Sequence, residues 1–342
     1  MLKNLVLKLA NLVGETGLFQ VLCPGSVPVF MLHRVSDLGE ERLPGCMTAD
    51  ILRSHLDYLA RNGYRVLSMD DLRAAFDHHK PLPSKSVMFT IDDGFFDHHD
   101  IAARVFKEFG YSLNFFVITG FLDRNLWPWD DQVAYALHRS KKEVIDLRLP
   151  SGKELTINLR HDDIGDVVYS LRSTLKKESQ SDLYAWLEKG LYPALGVEYP
   201  HEIPTSYRPM SWSDARTLRD AGHGVYPHTC THRILSTLSV DEKQSEIEMS
   251  IRRVEAELDY LPDIFAYPTG RRSDYDQLDI ERLQRSGIKL AFNTIPGYVR
   301  ADRNSLELPR FSLPCDFDDF RQIVNRFEAF KMKVRGLAKL PA

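Results

Sequence analysis

The sequence predicts an α/β fold with a parallel sheet, closed as a (β/α) barrel. Three observations lead there. The chain has 342 residues, enough for one large barrel or two ordinary domains. Short apolar runs alternate with amphipathic helical patterns along most of its length. The runs are apolar throughout instead of every second residue, as strands covered on both faces require.

Taken in order, Val27 to Val35 is the first strand, ending in His33-Arg34. Thr48 caps a helix to Asn62 with Ile51, Leu52, Leu56 and Leu59 on its buried side, and Gly63 ends it. Tyr64 to Leu67 is strand-like, and Ser68 with Asp71 reads as a capping box for the next helix. The strand Val87 to Ile91 runs into Asp92-Asp93-Gly94, and a helix from Asp100 to Phe109 stops at Gly110. Ser112 to Thr119 is again a strand.

The rhythm breaks between about 121 and 210, where Val144–Leu149 and Leu155–Leu159 flank a Pro-Ser-Gly turn and two helical patterns follow at 164–177 and 182–190. Because alternation resumes afterwards, this segment reads as an insertion into a barrel spanning 27–315, a lid or a substrate wall. Trp127, Trp129 and Trp186 lie in it, either as its small core or with one ring stacked on a sugar. Ser211 and Asp214 open a helix to Ala221, and His223–Tyr226 is a strand that precedes Pro227-His228. Ser239 and Glu242 start a long helix to Leu258. The strand Asp263–Tyr267, the helix Gln277–Ser286 and the strand Lys289–Asn293 complete the alternation.

The ends read differently. Residues 1–26 form an amphipathic segment with Lys3 and Lys8 among leucines and valines, and 316–342 form a helix turning basic at Lys331, Lys333, Arg335 and Lys339. Both fit docking on their own domain, or a weak contact with an anionic membrane surface. No run is long enough to cross a bilayer and no cleavable leader is apparent, so the expected location is cytoplasmic, peripheral at the inner face of the membrane if the ends touch lipid. The formal charge of −4 offers no whole-chain basic excess for nucleic acid. The four cysteines, Cys23, Cys46, Cys230 and Cys315, are too dispersed for a compact disulfide framework or a cysteine zinc site, which suits a reducing compartment.

Chemistry concentrates at strand ends. Asp92-Asp93 is either a solvated turn or a delivered pair of acids. His228 and His232 are four apart, on one side of a turn if that turn is helical, a spacing that suits two ligands on one metal with a carboxylate as the third. Cys230 would then point away from them. Asp97-His98-His99-Asp100 reads as a helix start with acids in its first turn, and His78-His79 as a solvated loop.

Thr90-Ile-Asp-Asp-Gly94, His228-Thr-Cys-Thr-His232, Phe265-Ala-Tyr-Pro-Thr-Gly270, the helix opening at Trp212 and the early His33-Arg34 together resemble the polysaccharide deacetylases of the NodB-homology type, also called carbohydrate esterase family four. The resemblance runs from about Val27 to Pro314. It implies a distorted (β/α) barrel of that type, carrying the inserted hairpin and helices, and an enzyme that removes N-acetyl groups from an amino-sugar glycan or its precursor. It further implies a divalent metal, usually zinc, on Asp93, His228 and His232, with Asp92 as general base. By the same resemblance the backbone N–H of Thr269 serves the oxyanion, and Tyr267 and Trp212 wall the acetyl methyl unless they are ordinary barrel packing.

Two departures stand out. Ala266 occupies the place where many members carry an arginine that steadies the base, and Arg310 is the candidate substitute. No histidine follows His232, so the late catalytic histidine is absent and the leaving group must be protonated by water, by Asp92 or by an earlier residue such as His33. Hydrolysis of another amide or ester at the same site, or a non-catalytic glycan-binding protein of the same fold, are the alternatives. The oligomeric state is not written in the sequence.

Overall fold

The structure is a computed structural model describing residues 11, 13–37, 47–78 and 80–337. Its centre is a parallel ladder in the order Val27–Leu32, Ser86–Asp93, Asn114–Val117, Gly224–Pro227. Arg65–Val66 adds in parallel beside Ser86–Asp93, and Phe311–Ser312 beside Val27–Leu32. Tyr298–Val299 runs antiparallel at the foot of Val27–Leu32. Ile264–Ala266 pairs in parallel with Leu290–Phe292, and a bridge from Phe292 to Leu308 carries the wall back toward Phe311. The circuit is that of a distorted barrel whose ladder, among the described residues, is open between Gly224–Pro227 and Ile264–Ala266. His228 Nδ1 lies 2.8 Å from the Ala266 carbonyl across that seam.

The strands were expected to be buried on both faces, and Val27–Leu32 and Ser86–Asp93 are buried at every residue. The helices start where their side chains can accept the free first-turn N–H groups. Thr48 caps Ala49–Arg61, and capping boxes at Ser68/Asp71, Ser211/Asp214 and Ser239/Glu242 open Met69–Asp77, Trp212–Asp220 and Val240–Leu258.

The segment after residue 120 packs around a core of its own. Val144–Arg148 and Glu154–Asn158 form the expected hairpin, and Ile164–Leu175 and Leu183–Leu195 pack with it. A further helix, Trp129–Arg139, was not foreseen. Trp127 and Trp129 are buried, so they serve packing and not sugar stacking; Trp186 donates to the Arg148 carbonyl at 2.9 Å.

The C-terminal helix is two helices, Phe317–Val324 and Phe327–Leu337, broken at Arg326 with φ 73°. The break lets the fully buried Arg326 guanidinium reach the carbonyls of Ser26, Ser84 and Ser86 at the amino ends of the two central strands. The described part of the N-terminal segment docks there too, with Phe19 against Phe327 and Phe330 and Asn11 donating to Asp318. Residues 1–10 and Lys339 lie outside the described residues. No described helix is long and apolar enough to cross a membrane.

Candidate active site

Strand Ser86–Asp93 delivers its two acids to the carboxyl end of the barrel, and the chain leaves the extended region at its last residue, Asp93, with φ 90°. Asp92 and Asp93 are both buried, at 1% and 6% exposure, yet their surroundings are opposite. Each oxygen of Asp92 accepts from a different terminal nitrogen of Arg310 at 2.7 Å. Arg310 is wholly buried, donating also to the Thr90 hydroxyl at 3.0 Å and the Asn293 carbonyl at 2.9 Å. Burial alone would raise the Asp92 pKa, but Arg310 outweighs it and holds the carboxyl below its usual range. The guanidinium absent at Ala266 is thus supplied from Arg310.

Asp93 has no such partner. Its Oδ1 is buried without a hydrogen bond, 3.5 Å from His232 Nε2 and 3.8 Å from His228 Nε2. Burial, with Asp130 and Asp92 adding to it, pushes Asp93 up to about 8. One ligand atom from each of Asp93, His228 and His232 lies within 4.8 Å of the other two. An acceptor left bare between two imidazoles is costly unless a cation completes it, so these residues fit a divalent metal. The Ala266 carbonyl accepting from His228 Nδ1 would leave Nε2 free to face that point.

The turn carrying the histidines corrects the helical expectation. Thr229 and His232 have φ 64° and 57°, and the loop is pinned by side chains instead of a helical ladder. Glu246 accepts from the N–H groups of Cys230 and Thr231, both at 2.9 Å, and from Arg233 at 3.0 Å. Asp93, Thr229, His232 and Thr269 account for four of the seven positive-φ non-glycine residues among those described, so backbone strain is concentrated here. Cys230 is bound into this loop and is not among the grouped ligands.

A cleft of about 410 Å³ opens over Asp93, with His33, Arg34, Asp130, Asp131, Arg172 and Cys315 on its walls. His33 is open to it, and the crowding of protein around the imidazole lowers its pKa. Behind it His98 is fully buried, its Nε2 2.5 Å from the His33 carbonyl, and burial takes it down to about 3. Asp97 pairs with Arg34 at 2.6 Å. The 97–100 cluster is accordingly a helix start, entered through a π-helical turn at His98–Ala102; His78 is exposed and His79 lies outside the described residues.

Two expected wall residues are placed elsewhere. Tyr267 is enclosed, stacked at 3.9 Å on Tyr275 and donating to the Leu306 carbonyl. Trp212 packs in the main core and donates to Asp123 at 2.7 Å. Neither lines the cleft, because each ring is spent on packing. Thr269, φ 51°, sits half-buried past strand Ile264–Ala266, its hydroxyl bonded to Asp274. Sequence reasoning missed Asp130, Asp131 and Arg172, all from the insertion. The signal available was the pair of acids directly after Trp129, in the first turn of an unrecognised helix.

Comparison with known proteins gives the family and the fold. The sequence profile described as polysaccharide deacetylase matches residues 79–290, which include Asp92, Asp93, His228 and His232 but neither His33 nor Arg310. A Bacillus subtilis protein that carries a polysaccharide-deacetylase name, YxkH, is 28% identical over 95 residues, 28% of this chain and 33% of that protein. The poly-β-1,6-N-acetyl-D-glucosamine N-deacetylase of Escherichia coli K12 is 27% identical over 103 residues, 30% of this chain and 15% of that enzyme. The matched stretch therefore spans a third or less of these relatives. The Streptococcus pyogenes deacetylase PplD superposes with TM-score 0.59 at 16% identity, covering 88% of this chain and 98% of that one. IcaB from Ammonifex degensii gives 0.56 at 15%, covering 88% and 97%. These superpositions establish a shared fold.

Proposed function

Because the chain belongs to the polysaccharide deacetylase family, we propose that it hydrolyses the N-acetyl group of an amino sugar in a polysaccharide, oligosaccharide or glycan precursor, releasing acetate. The observation that carries this reading is the opposite treatment of two adjacent buried acids, Asp92 clamped by Arg310 and Asp93 left bare between two imidazoles.

In this reading Asp93, His228 and His232 hold a divalent metal, and two imidazoles with one carboxylate suit zinc. When bound, such an ion polarises the acetyl carbonyl and lowers the pKa of water. Asp92 acts as general base, taking the proton of the attacking water. Arg310 keeps it ionised beside Asp93 and fixes its plane, while the lone pairs that the guanidinium does not use remain free to accept. A carboxylate held below its usual pKa is a weak base, which is why its partner water must be acidic. The Thr269 N–H is the proposed backbone donor to the oxyanion. His33, on the cleft wall, is the proposed proton donor to the departing amine in place of the missing late histidine.

The test is acetate release from acetylated sugars, nucleotide sugars and oligosaccharides at equal metal loading. Wild type should release acetate from at least one class, and Asp92→Asn should be slower by about 10²- to 10⁴-fold. Undiminished activity in that variant removes Asp92 as base. Failure of every substrate class would favour a glycan-binding protein.

A further inference from the structure

We propose that Asp130, brought by the inserted segment, is the positioning residue for the metal ligand His232; this rests on the metal site argued above. A ligating imidazole needs its second nitrogen held by an acceptor, which fixes ring orientation and tautomer. His228 has one from the barrel, the Ala266 carbonyl at 2.8 Å from Nδ1. His232 has none from the barrel. Its Nδ1 is buried without a hydrogen bond, and 3.6 Å away lies Asp130 Oδ1, likewise buried and without one. Two unsatisfied buried atoms, one able to donate and one to accept, face each other a few tenths of an ångström beyond bonding distance. A small rotation of either ring or carboxylate closes the gap.

The backbones on both sides are already fixed for this contact. Trp129 Nε1 donates to the His232 carbonyl at 3.0 Å, so the residue before Asp130 is tied to the same histidine. Arg172, from the second helix of the insertion, donates to the Asp130 carbonyl at 2.7 Å and to the Asp131 carboxylate at 3.3 Å. An acid in a first helical turn is ordinary on dipole grounds alone. Such an acid keeps its oxygens in water or on backbone N–H groups, whereas Asp130 Oδ1 is buried and points at an imidazole. The insertion is then more than a wall: it completes the metal centre and lines the cleft with the same first turn.

The test measures zinc affinity of the full chain by competition with a chromogenic chelator after metal removal. Asp130→Ala should weaken binding by about 10- to 100-fold, Asp130→Asn less because its carbonyl still accepts, and Asp130→Glu should recover part of the loss. The metal-free Asp130→Ala protein should melt below wild type, because a carboxylate that holds His232 protonated is gone, so the recovery of zinc affinity in Asp130→Glu, and not stability, separates positioning from a merely structural role. If Asp130→Ala does not fold, the near-isosteric Asp130→Asn carries the test. His232→Ala separates the two claims. Loss of zinc in His232→Ala with unchanged affinity in both Asp130→Ala and Asp130→Asn overturns the role of Asp130 alone. A wild type that binds no zinc, or a His232→Ala that binds it equally, overturns the metal centre and this role together.

Discussion

Asp92 and Arg310 meet through two 2.7 Å contacts with both groups out of water, 218 residues apart in sequence. Removing one partner of a buried pair leaves a charge without compensation, and such losses run to about 3–5 kcal/mol. Arg310→Met should therefore lower stability by roughly that amount in urea denaturation and abolish most acetate release, while adding Asp92→Asn should restore part of the stability and none of the activity. Stability unchanged in Arg310→Met would mean the pair is not formed in solution. The neighbouring Asp93 and His232 set a pH dependence with the opposite sign. Burial raises Asp93 to about 8, and the Asp130 and Asp93 carboxylates overcome burial to raise His232 to about 9. Both values exceed the unfolded references of about 3.9 and 6.5, so the metal-free folded protein keeps protons that the unfolded chain releases. Its stability is thus present at low pH and lost as pH rises, through about 8 for Asp93 and about 9 for His232. Calorimetry of metal-free protein should show Tm falling from about pH 6.5 to pH 9, with zinc restoring more at the alkaline end because binding displaces those protons. A metal-free Tm that climbs across this window would refute the assignment. That Asp93 groups with His228 and His232 was expected from the family resemblance, and the local signals were the histidine spacing and the placement of both motifs at strand ends. Asp130 was not expected, since nothing local ties residue 130 to residue 232.

The elements that were legible announce themselves with caps. Thr48, Ser68, Ser211 and Ser239 each accept from a first-turn N–H as their spacing implied. Helix Trp129–Arg139 has Pro128 at its N-cap and no side-chain cap, so neither cap nor spacing marked its start. The His228–His232 turn was misread for a different reason: i, i+4 spacing satisfies a helix, yet here it is met by two residues of positive φ held by another helix. That holding falls on Glu246, 2% exposed on Val240–Leu258, which receives two backbone N–H groups and Arg233. Glu246→Ala leaves the half-buried Cys230 and Thr231 N–H groups without this acceptor, while Arg233 keeps Glu242, and a buried group left unsatisfied costs about 1–3 kcal/mol. The variant should lose about 2 kcal/mol in chemical denaturation and bind zinc more weakly, because the strained φ of His232 is no longer imposed. A stable variant with wild-type affinity would show that the loop holds itself.

Across the whole molecule, one end of the barrel carries the acids and histidines and the other is where the described helices nearest the two termini, Leu18–Leu22 and Phe327–Leu337, pack together. Arg326 ties the amino ends of the central strands to helix Phe327–Leu337, and Leu18–Leu22 packs beside it with Lys333 donating to the Leu22 carbonyl. Strand Ser86–Asp93 connects this end to the cleft, eight residues or about 25 Å at the usual rise. Of the 13 exposed large hydrophobics among the described residues, six lie at this end: Val13, Leu18, Val21, Leu22, Met332 and Val334. Residues 1–23 and 327–342 together carry six basic groups, Lys3, Lys8, Lys331, Lys333, Arg335 and Lys339, against Glu15 and Glu328, in a chain whose formal charge is −4. Exposed apolar side chains in segments of net positive charge are what an anionic lipid surface attracts. Co-sedimentation should therefore show binding to phosphatidylglycerol-containing vesicles, weaker binding to phosphatidylcholine alone, and loss of the difference at high salt, where the field is screened. Val21→Asp, at the most exposed of the six, should release the protein from both vesicle types without altering acetate release from a soluble substrate. Equal recovery of wild type and Val21→Asp on the vesicles would sink the membrane reading, and a concentration-dependent dimer lost in Val21→Asp would reassign the patch to self-association. Should the vesicles bind as expected, the cleft faces away from the bilayer, which favours a glycan strand reaching well out from the surface over a sugar held at the lipid headgroups.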